Sequence, residues 1–227
     1  VTDAVAHRLR TTGAEFLGSG LLAAIVIGSG AAAQQLTPDS GLALLINALA
    51  TALGLGVLVV LFIAVSGAHF NPVVSIVDVA FGSRPARELL WYLPAQILGC
   101  IAGAILANLM FSQPAVTWST TDRVTPAQLV AEVVATAGLV LVIFLLARQG
   151  KVAAIPIAVA AYIGAAYLFT SSTSFANPAI TIGRMFTDTF AGIAPASAPW
   201  FIGAQLVGGA LGALVVVALT PRRPQSR

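Results

Sequence analysis

Ser66-Gly67-Ala68-His69-Phe70-Asn71-Pro72-Val73-Val74, with its counterpart Ser174-Phe175-Ala176-Asn177-Pro178-Ala179-Ile180, decides how this chain folds. Asn is a strong helix N-cap and Pro is favoured at the first helical position, so each Asn-Pro pair predicts a helix start. The runs that follow extend to about Phe81 and about Thr187. Each is about 10 residues, hence about 15 Å long, or half of a ~30 Å hydrocarbon core. Two such half-helices entering from opposite faces meet N-terminus to N-terminus and amount to one further span.

Around these connectors the chain is made for lipid. Of 227 residues, 58% are hydrophobic and 8% charged, too few charges to cover a soluble domain of this length. Apolar stretches near the ~20 residues needed to span a bilayer occur at Ala14–Ala33, Gly41–Val65, Leu89–Phe111, Pro126–Leu146, Val152–Thr170 and Trp200–Leu219. The expectation is an all-α membrane protein: six transmembrane helices and two re-entrant half-helices in a single domain over 1–227. The first apolar run follows Arg8 and Arg10 as a signal peptide would, but it carries Glu15 and is as long as a span, so cleavage is not expected. Cys100 stands alone in the chain and reads as a small packing residue.

The net charge of +3 reports topology and not nucleic-acid binding. Arg8, Arg10, Arg84, Arg87, Arg148, Lys151, Arg222, Arg223 and Arg227 fall at the termini and the second and fourth connectors, while Arg123 and Arg184 fall on the other side. The positive-inside rule then places both termini in the cytoplasm.

The two halves, about 1–115 and 116–227, repeat one another. Ala14-Glu15-Phe16-Leu17 recurs as Ala131-Glu132-Val133-Val134, and Ala95-Gln96-Ile97-Leu98-Gly99 as Ala204-Gln205-Leu206-Val207-Gly208. Three helices per half is an odd number, so the second half is inverted, and such repeats place a solute site near the midplane. Non-helical backbone survives at that depth only where it lines a cavity. Segments 66–69 and 172–176 therefore predict a ladder of carbonyl acceptors, with Asn71 and Asn177 offering N–H donors at the junction. Two positive helix ends converging there oppose cations, protons included.

This constellation resembles the aquaporin and glycerol-facilitator family over essentially the whole chain. The resemblance rests on Ser-Gly-Ala-His-Phe-Asn-Pro-Val-Val at 66–74 and Asn-Pro-Ala at 177–179. It implies the hourglass fold, one pore per subunit, a homotetramer in a bacterial plasma membrane, and no cofactor, metal or nucleic-acid partner. It also implies that Glu15 and Glu132 hydrogen-bond loop backbone, which suits carboxylates that are costly inside a span. His69 either lines the pore or fixes the loop through its ring, the second being favoured. Asp78 is expected to pair with Arg84 or Arg87.

Departures from the family pattern bear on the solute. Ile180 stands directly after Asn-Pro-Ala, where the family's filter usually has arginine. Counting without gaps puts the other filter positions at Thr51, Ala165 and Ser174. Such a filter has neither an aromatic nor a cation, which predicts a wider opening for neutral solutes such as polyols and arsenious acid. In lacking the arginine the chain is similar to bacterial aquaporins associated with arsenic-resistance genes. Val73 in place of the usual Ala is expected to perturb the junction. Arg184 either restores a guard at the outer mouth or pairs with Asp188 at i,i+4 on the surface.

The function expected is a passive channel for small uncharged solutes, and not an enzyme. The competing reading is a secondary transporter with Glu15 and Glu132 as coupling groups. No metal-spaced cluster or nucleophile–base pair supports enzymatic chemistry, and Gly208-Gly209 with Gly212 reads as close helix packing.

Overall fold

The structure, a computed structural model, describes residues 2–220. Arg222, Arg223 and Arg227, counted above for topology, lie outside the described residues. The long helices are α1 (Thr2–Leu36), α2 (Ser40–Ser66), α4 (Leu89–Met110), α5 (Pro126–Arg148), α6 (Ile155–Phe169) and α8 (Ala198–Leu219). Between them, α3 (Pro72–Ala80) follows α2, and α7 (Pro178–Gly183) follows α6. Short 3₁₀ turns precede α4 and α6 and extend α7 over Arg184–Phe186. The face where α1 begins and α8 ends is called here the terminal face, and its opposite the far face.

α1 starts twelve residues before the span expected from Ala14. Its polar first three turns contain no proline, and residues 3–10 are exposed, so the helix runs on beyond the apolar layer. There Arg8 stacks over Trp91 of α4, 4.4 Å from the ring centroid.

The inverted repeat shows in the packing. α1 lies chiefly on α4 and α5 on α8, and α2 crosses to α6 between the halves. Small residues set the first two distances. A Cβ at Gly103 would collide with the Gly20 carbonyl, and one at Gly212 would stand 2.7 Å from the Ala137 carbonyl oxygen. Without a hydrophobic drive inside lipid, such close backbone approach is what holds helices together.

The second half-helix ends one residue short of Thr187, its last turn tightened to 3₁₀. α7 has six residues and its 3₁₀ turn three, ending before Thr187. Its last carbonyls are taken by the far-face loops: Ser119 N–H donates to Met185 O at 3.0 Å and Ile193 N–H to Arg184 O at 3.2 Å. Asn108 Nδ2 adds a bond to Phe186 O at 2.9 Å. With those acceptors occupied, a further α-turn has nothing to bond to. In the same loops Asp122 accepts from the Ser197 hydroxyl and the Val124 amide, and these bonds hold its carboxyl below the usual range.

Candidate functional site: the central pore and its paired Asn-Pro loops

Before each Asn-Pro the backbone takes the same unusual path. Gly67, Ala68 and Phe70 have φ of 93°, 51° and 49°, and Thr173, Ser174 and Ala176 have 61°, 50° and 49°. Left-handed backbone at non-glycine residues costs of order 1–3 kcal/mol each and persists only where surroundings over-determine it. The surroundings here are two buried carboxylates. Glu15 accepts from Ser66 Oγ at 2.6 Å, His69 N at 3.0 Å, Phe70 N at 2.7 Å and Gln96 Nε2 at 2.8 Å. Glu132 accepts from Ser172 Oγ at 2.6 Å, Phe175 N at 2.9 Å, Ala176 N at 2.9 Å and Gln205 Nε2 at 2.6 Å. The glutamines also reach the half-helices, Gln96 to Ser75 Oγ and Gln205 to Thr181 Oγ1, each at 2.9 Å. Each carboxylate thus ties one spanning helix, one loop and one glutamine together.

Held this way, the loops turn their asparagines toward each other. Asn71 Oδ1 caps α3 through Val73 N–H at 3.0 Å, and Asn177 Oδ1 caps α7 through Ala179 N–H at 2.9 Å. Asn71 Nδ2 donates to the Ala176 carbonyl at 2.8 Å, and Asn177 Nδ2 donates to the Phe70 carbonyl at 2.7 Å. Pro72 and Pro178 open the two helices, and an amide has two N–H groups, so each Asn keeps one beyond this exchange. Both asparagines line a cavity of about 1830 Å³.

The cavity runs from Arg148 and Thr220 near the terminal face, past both asparagines, to Arg184 near the far face. Its apolar walls are stripes at every fourth residue: Thr51, Leu55, Val59 and Ile63 on α2, and Ile155, Val159, Ile163 and Tyr167 on α6. His69 lines it too, so both readings of that residue meet: its ring Nδ1 is 3.0 Å from Ser75 Oγ, and its backbone amide is held by Glu15. Asp78 pairs with Arg84 at 3.0 Å, and Arg84 also donates to the Ser66 carbonyl at 2.6 Å.

The expected filter needs correction. Thr51, Ser174 and Ile180 line the cavity, but Ala165 is exposed on the outer side of α6. Two residues along a helix is a turn of about 200°, so the ungapped count lands on the wrong face. Tyr167 takes the inward place, its hydroxyl 3.4 Å from Thr51 Oγ1. Phe175 and Arg184 line the same cavity, so this region has both aromatics and a cation. Tyr162 stays out, bonded to the Ala135 carbonyl at 3.1 Å.

Arg184 is not the surface partner of Asp188. It is 2% exposed, its Nε bonds the Ala191 carbonyl, and its guanidinium lies 3.4 Å from the Phe175 ring centroid. The helix has ended before Asp188, which accepts from Thr120 N–H at 2.9 Å. Val73, the other departure, is accommodated: its Cγ1 fills the space that a side chain at Gly209 would need.

A sequence model described as major intrinsic protein matches residues 4–174. The chain belongs to the major intrinsic protein family. It is 48% identical over 212 residues to the aquaglyceroporin AqpS of Rhizobium meliloti (strain 1021), covering 93% of this chain and 91% of that one. It is 31% identical to aquaporin Z of Brucella melitensis biotype 1, over 94% and 99% of the two chains. In structure it is similar to the aquaglyceroporin from Plasmodium falciparum, with a TM-score of 0.67 at 21% identity over 93% and 94% of the chains, a likeness of fold.

Members of the major intrinsic protein family are channels, not enzymes. In this member, sequence reasoning missed Gln96 and Gln205 as supports, although each is an uncharged polar residue at the same place in an apolar helix of the repeat. It considered Tyr167 and Phe175, with Tyr162, only as rings assumed to stay out of the filter, because their inward facing depends on where α6 ends.

Proposed function

We propose that this protein is a passive channel for small uncharged hydroxylated solutes: water, glycerol-like polyols and compact metalloid hydroxides such as arsenious acid. The observation that carries the reading is the asparagine exchange, which leaves one N–H on each of Asn71 and Asn177 at the wall of the cavity. A solute hydroxyl can accept from these donors while its carbon or metalloid framework slides past Leu55, Val59 and Ile163. Relatives named for such solutes include the propanediol uptake facilitator of Citrobacter freundii, 36% identical over 43% of this chain. With Ile180 in place of the filter arginine, the pore at that residue is expected to be wider than in a water-only channel. The reading places both termini in the cytoplasm of a bacterial plasma membrane, from the arginines at the terminal face, and four subunits in the assembly.

A coupled transporter is disfavoured by one observation. Glu15 and Glu132, the carboxylates it would have to use, each accept from four donors, are fully buried and stand off the cavity wall. The test is a permeability panel of water, glycerol, urea and arsenious acid in proteoliposomes. Glycerol and arsenious acid should equilibrate with no ion gradient imposed. Accumulation above equilibrium when a proton or sodium gradient is applied would favour the transporter instead.

A further inference from the structure

Position 180, where the family's filter usually has arginine, holds isoleucine, and yet a guanidinium reaches the cavity from one helical turn further along. Arg184 begins the 3₁₀ turn after α7, so its side chain leaves the same short helix on the same face as Ile180. Its Nε is tied to the Ala191 carbonyl, and the Phe175 ring lies beneath its plane at 3.4 Å. Arg123 from the far-face loop stands on the same ring, 5.4 Å from the centroid, anchored by the Gly192 and Phe190 carbonyls at 2.8 and 3.0 Å.

Two cations therefore converge on one aromatic ring at the far end of the pore. Among the described residues, ion pairs involve only His69, Arg84, Asp78 and Glu88, at the opposite end, so neither guanidinium is in direct contact with a carboxylate, although buried Glu132 acts on both through space. Charge held in a low-dielectric wall acts strongly on ions and weakly on neutral molecules. Arg184 Nη1 and Ser174 Oγ are moreover buried without a partner, on two residues that line the cavity. Buried polar atoms of this kind are uncommon unless something else satisfies them in use.

We propose that Arg184, backed by Arg123 across Phe175, is the relocated charge filter of this channel, excluding cations and protons while offering N–H donors to hydroxylated solutes. This rests on the cavity being a solute channel. The relocation also separates two duties: Ile180 leaves room at its own level, and the charge acts one turn further out.

The test compares wild type, Arg184→Leu, Arg184→Lys and the double variant Arg184→Leu with Ile180→Arg in proteoliposomes. Glycerol flux is followed by light scattering, and proton and sodium leak by entrapped dyes. In Arg184→Leu the lost donors should lower glycerol flux while the cation leak rises by roughly tenfold or more, which takes only ~1.4 kcal/mol off an ion's barrier. Arg184→Lys should restrain the leak, because charge and not shape is what counts. The double variant should abolish it, since a cation is returned to the same lumen. A merely structural role, holding Ala191 and the loop, predicts a leak that Ile180→Arg does not cure, and that result overturns the proposal. So does an unchanged leak in Arg184→Leu. If Arg184→Leu is not recovered folded, Arg184→Gln keeps length and a donor without charge, and the same outcomes apply. Wild type that excludes cations but passes no glycerol sinks the channel reading; wild type that itself leaks cations sinks the guard.

Discussion

Thr51 on α2 and Tyr167 on α6 meet hydroxyl to hydroxyl at 3.4 Å across one wall of the cavity. The pair joins equivalent helices of the two halves, one near its middle and one near its end. It narrows the lumen with a ring whose hydroxyl has a nearby partner.

Tyr167→Ala should therefore widen the pore, and glycerol or arsenious acid flux should rise more than water flux, by about threefold or more, a small part of the roughly 10–200-fold that a change of fit can be worth. Ala165→Phe, on the outward face of α6, should leave both fluxes unchanged in the same stopped-flow assay. A glycerol block by Ala165→Phe would restore the ungapped filter position and remove Tyr167 from it.

Ile180 lines the cavity and is 4% exposed. Ile180→Arg with Arg184 intact adds bulk, donors and a second cation to the lumen one turn from the first. Glycerol permeation should drop on the order of tenfold while water permeation drops less, because the larger solute needs the lost width. Equal losses for the two solutes would mean that this residue does not set the width.

Much of this was legible because the chemistry is rare. An Asn-Pro pair after an apolar span, or a glutamate inside one, has few physical explanations, so α3, α7, Glu15 and Glu132 could be placed from sequence. The lumen walls could not. Leu55, Val59 and Ile63 face the pore and Leu53, Val57 and Leu61 are exposed, yet both sets are apolar, so periodicity carries no contrast between lumen and lipid. Ala165 was misplaced because a count without gaps assumes where α6 ends. Of the two readings of Arg184, the Asp188 pair fails because i,i+4 pairing assumes a helix that Ser119, Ile193 and Asn108 bring to a stop.

Glu15 and Glu132 each neutralise four donors in a buried setting, so replacing either by Gln turns one acceptor into a donor facing donors. Glu15→Gln or Glu132→Gln should cost about 2–3 kcal/mol, the penalty of a buried charge-assisted bond left unmade. The measurement is thermal unfolding in detergent, with a lowered Tm for both. Gln96→Leu and Gln205→Leu should each cost less, since the carboxylate keeps its three remaining donors. A Glu132→Gln protein with unchanged Tm and flux would show that the left-handed loop stands without its carboxylate.

Val73 and Gly209 form a matched pair. The first stands where the second half has Ala179, the second where the first half has Cys100, so bulk has moved from one helix to the other across the contact. A Cβ at Gly209 would collide with Val73 Cγ1. Gly209→Ala should destabilise by about 1–3 kcal/mol, the usual cost of overpacking. Val73→Ala alone should cost about 1–2 kcal/mol through a small cavity and lost apolar contact. Combined, the two changes should cost less than their sum by at least about 0.5 kcal/mol, the coupling seen for residues in direct contact. Thermal unfolding of the four proteins closes the cycle, with glycerol flux measured alongside. Because the Val73 N–H donates to the Asn71 side-chain oxygen that caps α3, flux should fall in Gly209→Ala and recover in the double variant. Additive stability losses would show that the branched residue at the first motif is tolerated by some route other than the missing side chain at Gly209.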